Sequence, residues 1–222
     1  KLNLSWQKST LNRGIFADRG TSSQVSFEAA IPGSGLEFYK VRYAGETYFP
    51  ISNSWTLRLR TELGYGDAYG DTTALPFYEH FFAGGFGSIR GFENSTLGPR
   101  TTPPLDLEGN PICWRDPCGD PFGGNLQVEA SAELIFPLPF VEDNRQFRPS
   151  LFLDVGNVFN TRCPRISVNC FGFDTEEIRY STGFSVTWLT GMGPMSFALV
   201  KAFNTKDYDE EEAFQFELGK TF

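Results

Sequence analysis

Nine stretches of this chain alternate apolar and polar residues with a period of two. Successive side chains of a β-strand point to opposite faces, so this pattern predicts strands with one apolar and one polar face. In the fifth stretch, Leu126, Val128 and Leu134 lie on one face, while Glu129 and Glu133 lie on the other. The nine predicted strands are residues 1–9, 23–31, 37–49, 55–65, 126–136, 147–159, 178–188, 195–203 and 214–222.

The polar face carries nearly all of the charge, and aromatic residues cluster near the ends of the apolar face. Stretch 55–65, for example, sets Arg58, Arg60 and Glu62 against tryptophan, leucine and tyrosine. This is typical of a transmembrane barrel with lipid outside and a polar lumen inside. A soluble β-sandwich also alternates, but it would have to pack nine apolar faces into one small core. The longer stretches match the ~9–11 tilted residues that cross a bilayer. We therefore predict an all-β fold, an antiparallel transmembrane β-barrel.

The connections between these strands alternate between short and long. Residues 50–54, 137–146 and 190–194 are short connections, whereas 66–125, 160–177 and 204–213 are long. Outer-membrane barrels have short periplasmic turns and long external loops. The alternation therefore predicts long loops outside the cell and a periplasmic C-terminus in the outer membrane of a Gram-negative bacterium.

The odd number of strands indicates that the barrel is incomplete. Single-chain bacterial barrels have even strand numbers, and an open sheet edge in lipid leaves backbone groups unpaired. The chain also begins at Lys1 within a strand pattern. We interpret residues 1–222 as the C-terminal portion of a larger barrel, and we expect the isolated fragment to self-associate through its open edges.

Composition narrows the classes of function. The net charge is −8 over 222 residues, and this acidic balance argues against nucleic acid, which needs clustered Lys and Arg. The single histidine, His80, lies in an aromatic run and is interpreted as a packing residue. The acidic run 207–212 lacks the glycine and ligand spacing of a calcium loop. We predict no enzyme activity, no catalytic residue, no metal site and no cofactor.

Four cysteines form two close pairs in proline-containing, loop-like segments: Cys113 with Cys118, and Cys163 with Cys170. Close pairs in loops favour disulfides in an oxidising compartment. The alternative is a zinc site, for which these spacings are poor.

The connection 66–125 contains a specific motif. Residues 89–92 read Ile-Arg-Gly-Phe, preceded by Pro-Phe-Tyr-Glu at 76–79 and Ala-Gly-Gly at 83–85. Asn-Ser-Thr-Leu-Gly-Pro follows at 94–99. This segment resembles the Val/Ile-Arg-Gly-Phe/Tyr motif of the Omp85 superfamily. The resemblance covers essentially the whole chain, as the last nine strands of a sixteen-stranded barrel. The family's N-terminal POTRA domains and first barrel strands are expected to lie outside it.

The resemblance implies that the long extracellular loop folds back into the lumen. Its arginine, Arg90, would then pair with acidic residues on the inner wall, which match Glu133 and Asp154. Strand phasing places both carboxylates on the lumen face. Around Arg90, the resemblance implies packing roles for Ile89 and Phe92 and a close approach to the wall at Gly91.

The final stretch resembles the terminal strand of outer-membrane barrels, which serves as an assembly signal. The resemblance implies that it is also the last-strand half of a lateral gate, and a glycine within it would weaken strand pairing. The residues concerned are Phe214, Phe216, Leu218, Gly219 and Phe222.

The resemblance implies a function in folding and inserting other barrel proteins into the outer membrane. Expected partners are the lipid bilayer, unfolded outer-membrane protein clients and, through the missing domains, accessory lipoproteins. The alternatives are a related two-partner secretion or translocation pore and a passive porin.

Overall fold

A computed structural model describes residues 1–33, 35–104, 106, 108, 112, 119–137, 146–163, 170–191 and 193–219. These residues form nine strands and two short 3₁₀ helices, Phe77–Glu79 and Thr175–Glu177. The strands are β1 (Leu2–Ser9), β2 (Gly20–Ala29), β3 (Phe38–Pro50), β4 (Thr56–Ala68), β5 (Leu126–Ile135), β6 (Phe147–Phe159), β7 (Arg179–Thr190), β8 (Gly193–Phe203) and β9 (Phe214–Leu218).

The nine strands form one antiparallel sheet in chain order, from β1 to β9. Every strand pairs with the next along the chain, so each connection is a hairpin. In the part of the chain that the structure describes, the outer edges of β1 and β9 have no strand partner, and the sheet is not closed. Within the same residues, no helix is long and apolar enough to cross a membrane.

Alternation along the strands separates an outer from an inner face, as the sequence predicts. On β6, Leu151 and Leu153 are about half exposed, whereas Phe152 and Asp154 between them are buried. The inner face of β5 carries the buried polar side chains of Gln127, Glu129, Ser131 and Glu133. A polar face this deeply buried needs a covering layer that supplies hydrogen-bond partners.

The connection 69–125 supplies this layer; it is called the in-folded loop below. Ile89, Phe92 and Leu97 of the loop are fully buried, and they belong to one apolar cluster with Val158 of β6. The main core of the molecule therefore lies between the loop and the inner face of the sheet.

Several predicted boundaries of β1 to β8 shift by up to three residues; β4, for example, ends at Ala68 rather than residue 65. β2 begins at Gly20 rather than residue 23, because residues 20–22 continue the ladder opposite β3. β9 ends at Leu218, so Gly219 lies just beyond the strand rather than within it. Its φ of +87° is incompatible with an extended strand. Phe222, Cys113 and Cys118 lie outside the described residues.

Candidate functional site

Neighbouring strands place two carboxylates on the inner wall. In the register of β5 and β6, Ser131 lies opposite Asp154 and Glu133 lies opposite Phe152. Asp154 is completely buried and Glu133 is nearly so. Carboxylates this deep must be paired or protonated, because an unpaired buried charge is costly.

Arg90 of the in-folded loop pairs with Asp154 through three nitrogen atoms. Its Nε donates to Oδ2 of Asp154 at 2.7 Å, and its Nη2 donates to Oδ1 at 2.9 Å. The backbone N–H of Arg90 donates to Oδ2 at 3.1 Å. The fork geometry fixes orientation as well as position, since both carboxylate oxygens are engaged.

Further groups complete the surroundings of this guanidinium. Nη2 also donates to Oγ of Ser131 at 3.3 Å, and Nη1 donates to Oε1 of Glu133 at 3.4 Å. The ring of Phe152 lies 3.5 Å from the guanidinium carbon, in cation–π contact. Burial alone would lower the pKa of Arg90, but the charge of Asp154 raises it, so the side chain stays ionised. We call this set of interactions the arginine contact.

Glu133 is shared between two arginines. Arg58 of β4 donates to its Oε2 at 3.1 Å, and the same guanidinium donates to Glu46 at 3.1 Å. The hydroxyl of Ser150 donates to the other oxygen of Glu133 at 2.5 Å. Asp154 is thus the main partner of Arg90, and Glu133 is a secondary one.

A third arginine of the site binds the turn before Arg90. Arg60 of β4 donates to the backbone carbonyls of Gly87 and Ser88, at 2.5 and 2.6 Å. The hydroxyl of Ser88 donates in turn to Glu129 at 2.7 Å. These contacts orient the backbone that carries Arg90 toward the wall.

Gly91 lies at a close approach of the in-folded loop to the wall. Its φ is +90°, and a Cβ at this position would lie 2.7 Å from Cγ1 of Val200 on β8. Both the backbone conformation and the space therefore require glycine. The next residue, Phe92, is fully buried in the apolar cluster.

Residues 91–93 also contact the connection before β9 and β9 itself. The N–H of Glu93 donates to the carbonyl of Glu210 at 2.8 Å, and the N–H of Glu212 donates to the carbonyl of Gly91 at 3.0 Å. Gln215 of β9 accepts from the N–H of Gly91 at 3.1 Å. We call this set the last-strand contact.

The Omp85 superfamily domain matches residues 1–222, the full length of the chain. The chain belongs to the Omp85 superfamily. It is 36% identical, over 239 residues, to the outer membrane protein assembly factor BamA of Neisseria meningitidis serogroup B, covering 100% of this chain and 28% of that protein. A SAM50-like protein of Schizosaccharomyces pombe is 23% identical over 228 residues, covering 100% of this chain and 44% of that protein.

Among solved structures, BamA of Haemophilus ducreyi lacking POTRA domains 1–3 superposes on this Omp85 chain with a TM-score of 0.85. The sequence identity is 33%, covering 99% of this chain and 42% of that one. The chain therefore spans less than half the length of each of these relatives.

The structure brings Arg90, Glu133 and Asp154 together with Ile89, Gly91 and Phe92 around them. The sequence does not predict the contacts that Gln215, Arg58, Arg60 and Ser131 make with the in-folded loop or with Glu133. Alternation places all four on the polar face, which is the one sign of a role in the lumen that the sequence contains. Their partners are backbone atoms or residues on other strands, and no local pattern encodes such pairings.

At the long connections, Cys163 and Cys170 form a disulfide in the segment between β6 and β7. Nearby, the buried Arg179 donates to Asp209 at 2.5 Å, and Tyr208 donates to Glu177 at 2.8 Å. Burial, followed by the hydrogen bond to Glu177, raises the pKa of Tyr208 to about 12. These contacts tie Glu177 and Arg179 to the 204–213 connection.

Proposed function

We propose that this chain is part of the central component of the outer-membrane β-barrel assembly machinery, which folds and inserts other barrel proteins. One observation carries the proposal: the whole chain matches BamA at 36% identity. The buried contact of Arg90 with Asp154 supports it, because it binds the in-folded loop to the wall. The activity involves no change of covalent bonds, so the protein is not an enzyme.

The proposed mechanism is strand templating at a lateral gate. In the described part of the chain β9 pairs with β8 over five residues, and its outer edge has backbone donors and acceptors that an incoming client strand can bind. Client strands would add at this edge because each unsatisfied backbone group in lipid costs several kcal/mol. Gly219, in a left-handed conformation immediately after β9, allows the chain to turn away where the gate must open.

In the same proposal, the arginine contact keeps the loop inside the lumen and keeps β5 and β6 in position while β9 moves. Breaking a buried ion pair costs ~3–5 kcal/mol, more than the pairing of a short strand end. The loop would therefore stay anchored to β5 and β6 during changes at β9.

The wider protein is proposed to contain sixteen barrel strands and periplasmic POTRA domains preceding them. The open outer edges of β1 and β9 support this, because both need partners in a bilayer. The proposed partners are the bilayer, unfolded outer-membrane protein clients and accessory lipoproteins. The protein would reside in the outer membrane, with its C-terminus in the periplasm.

The test is depletion of the full-length protein in its host, with outer-membrane porin levels followed over several generations. Loss of many unrelated barrels, with unfolded chains accumulating in the periplasm, is the expected result. Normal porins with a single exported protein missing would replace the proposal with a two-partner secretion pore.

A second experiment tests the gate. A disulfide introduced between the first and last strands of the complete barrel should block client insertion, and reduction should restore it. Undiminished insertion with the crosslink in place would reject strand templating at this seam.

A further inference from the structure

Gln215 is the inward-facing side chain in the middle of β9. Its neighbours Phe214 and Phe216 lie on the outer face and are 56% and 50% exposed, whereas Gln215 is 3% exposed. A buried primary amide offers both donors and acceptors, and each needs a partner.

The amide of Gln215 binds two peptide units of the in-folded loop, one before Gly91 and one after Phe92. Its Oε1 accepts from the N–H of Gly91 at 3.1 Å, and its Nε2 donates to the carbonyl of Phe92 at 2.7 Å. Nε2 also donates to Glu212 at 3.1 Å, on the connection that leads into β9. The side chain thus binds backbone groups of residues 91 and 92 that their antiparallel bridge to residues 210–212 leaves unused.

Consecutive backbone amides of the loop bind different walls. The N–H of Arg90 donates to Asp154 on β6, and the next N–H, of Gly91, donates to Gln215 on β9. If β9 moves outward, Gln215 moves with it, and the buried polar groups of Gly91 and Phe92 lose their partners. Such groups are costly to leave unsatisfied. Displacement of β9 therefore weakens the binding of residues 91 and 92, while Arg90 remains bound.

We propose that Gln215 is a positioning residue that couples the last strand to the in-folded loop. Opening of β9 releases residues 91–93, and order in those residues favours closure of β9. The use of this coupling during client insertion rests on the function proposed above; the coupling itself is a property of the folded protein.

The first experiment measures hydrogen exchange by mass spectrometry on the full-length protein in lipid nanodiscs. Gln215→Met keeps the length of the side chain and removes its hydrogen bonds. We expect exchange in the peptide covering residues 84–97 to become about tenfold faster, because the hydrogen bonds to both Gly91 and Phe92 are lost.

Asn125→Leu is the matched control. Asn125 is 2% exposed, and its amide also binds backbone groups on two sides: it donates to the carbonyl of Gly66 at 2.9 Å and accepts from the N–H of Thr161 at 2.8 Å. None of these partners lies in 84–97, so only Gln215→Met should accelerate exchange there. Equal exchange in Gln215→Met and wild type would overturn the proposal, as would equal acceleration by Asn125→Leu.

A second experiment tests coupling directly. Phe216 faces outward and packs against Phe197 of β8, so Phe216→Gly weakens β9 without touching the loop. We expect Phe216→Gly to accelerate exchange at 84–97 in the wild-type background and to add nothing in the Gln215→Met background. Additive effects, or a loop that stays protected while β9 itself exchanges faster, would overturn the proposal.

These readouts come from purified protein and do not depend on assembly activity. Exchange results as expected, combined with normal porins after depletion, would reject the proposed function and leave the coupling intact. The reverse combination would reject the coupling alone.

Discussion

Two of the contacts between the in-folded loop and the wall differ in chemistry. The arginine contact is ionic: the Nε of Arg90 lies 2.7 Å from the fully buried Asp154. The last-strand contact is neutral, with backbone groups of residues 91–93 bound to residues 210–212 and to the amide of Gln215. Breaking a buried ion pair costs ~3–5 kcal/mol, whereas a neutral hydrogen bond contributes ~0.5–1.5 kcal/mol.

This difference separates anchoring from adjustment. The ionic contact joins the loop to β5 and β6, strands in the interior of the sheet with partners on both sides. The neutral contact joins the loop to β9, which in the described part of the chain has one strand partner and five residues. The buried ion pair of Arg100 with Glu210, at 2.8 Å, adds an ionic link to the connection before β9 but not to β9 itself. Of these two contacts with wall strands, the ionic one therefore lies in the interior of the sheet and the neutral one lies at its edge.

The largest effect is expected from removing the anchor. Arg90→Met leaves Asp154 buried without its ion-pair partner and should lower the free energy of unfolding by about 3–5 kcal/mol. Guanidinium titration of the refolded barrel in lipid vesicles measures this. Arg162→Met is the control, because Arg162 pairs with Asp67 but its side chain is 48% exposed; its cost should stay below about 1 kcal/mol. Equal costs for Arg90→Met and Arg162→Met would show that the arginine contact is no stronger than an exposed ion pair.

Gly91→Ala tests the residue between the two contacts. The φ of +90° and the 2.7 Å approach to Val200 should together cost about 2–4 kcal/mol, from backbone strain and overpacking. The same titration applies. Gly172→Ala should change stability by less than about 0.5 kcal/mol, because a Cβ added there would meet none of the described residues beyond its chain neighbours within 4 Å. A tolerated alanine at 91 would mean that the loop can withdraw from β8 at little cost.

Double-mutant cycles rank the partners of Arg90. We expect a coupling energy of about 2–3 kcal/mol between Arg90→Met and Asp154→Asn. With Glu133→Gln, it should fall below about 1 kcal/mol, because Arg58 continues to pair with Glu133. Equal coupling to both carboxylates would contradict the assignment of Asp154 as the main partner.

The smallest effect concerns the long connections beside the last-strand contact. The pKa of Tyr208 is raised from 10.0 to about 12, so folding favours its protonated form. The corresponding stability is fully present below pH 10 and is lost as the pH rises from 10 to about 12. Because the side chain is only partly buried, the loss should be under about 1 kcal/mol.

Ultraviolet difference titration, with Tyr208→Phe to identify the signal, measures this ionisation. A Tyr208 that titrates near pH 10 would show that water reaches its contacts with Glu177 and Arg179. In that case these contacts would not stabilise the last-strand contact.

Much of the sheet follows from the sequence, because alternation encodes both strand identity and face. It placed Glu133, Asp154 and Gln215 on the inner side without any knowledge of their partners. The predicted strand 214–222 is interrupted at Gly219, because the φ of +87° there does not fit an extended strand although the alternation of side chains continues. The last-strand contact was not predicted, because it joins residues more than 100 positions apart through backbone atoms.

The paired lengths of neighbouring strands differ across the sheet. β3 and β4 pair along thirteen residues, whereas β8 and β9 pair along five in the described part of the chain. Under a pulling force the described sheet would therefore lose β9 first and β1 next, because the eight-residue pairing of β1 with β2 is the second shortest. The fold thus gives the wall a mechanical polarity, in which the two edge strands yield before the interior ones.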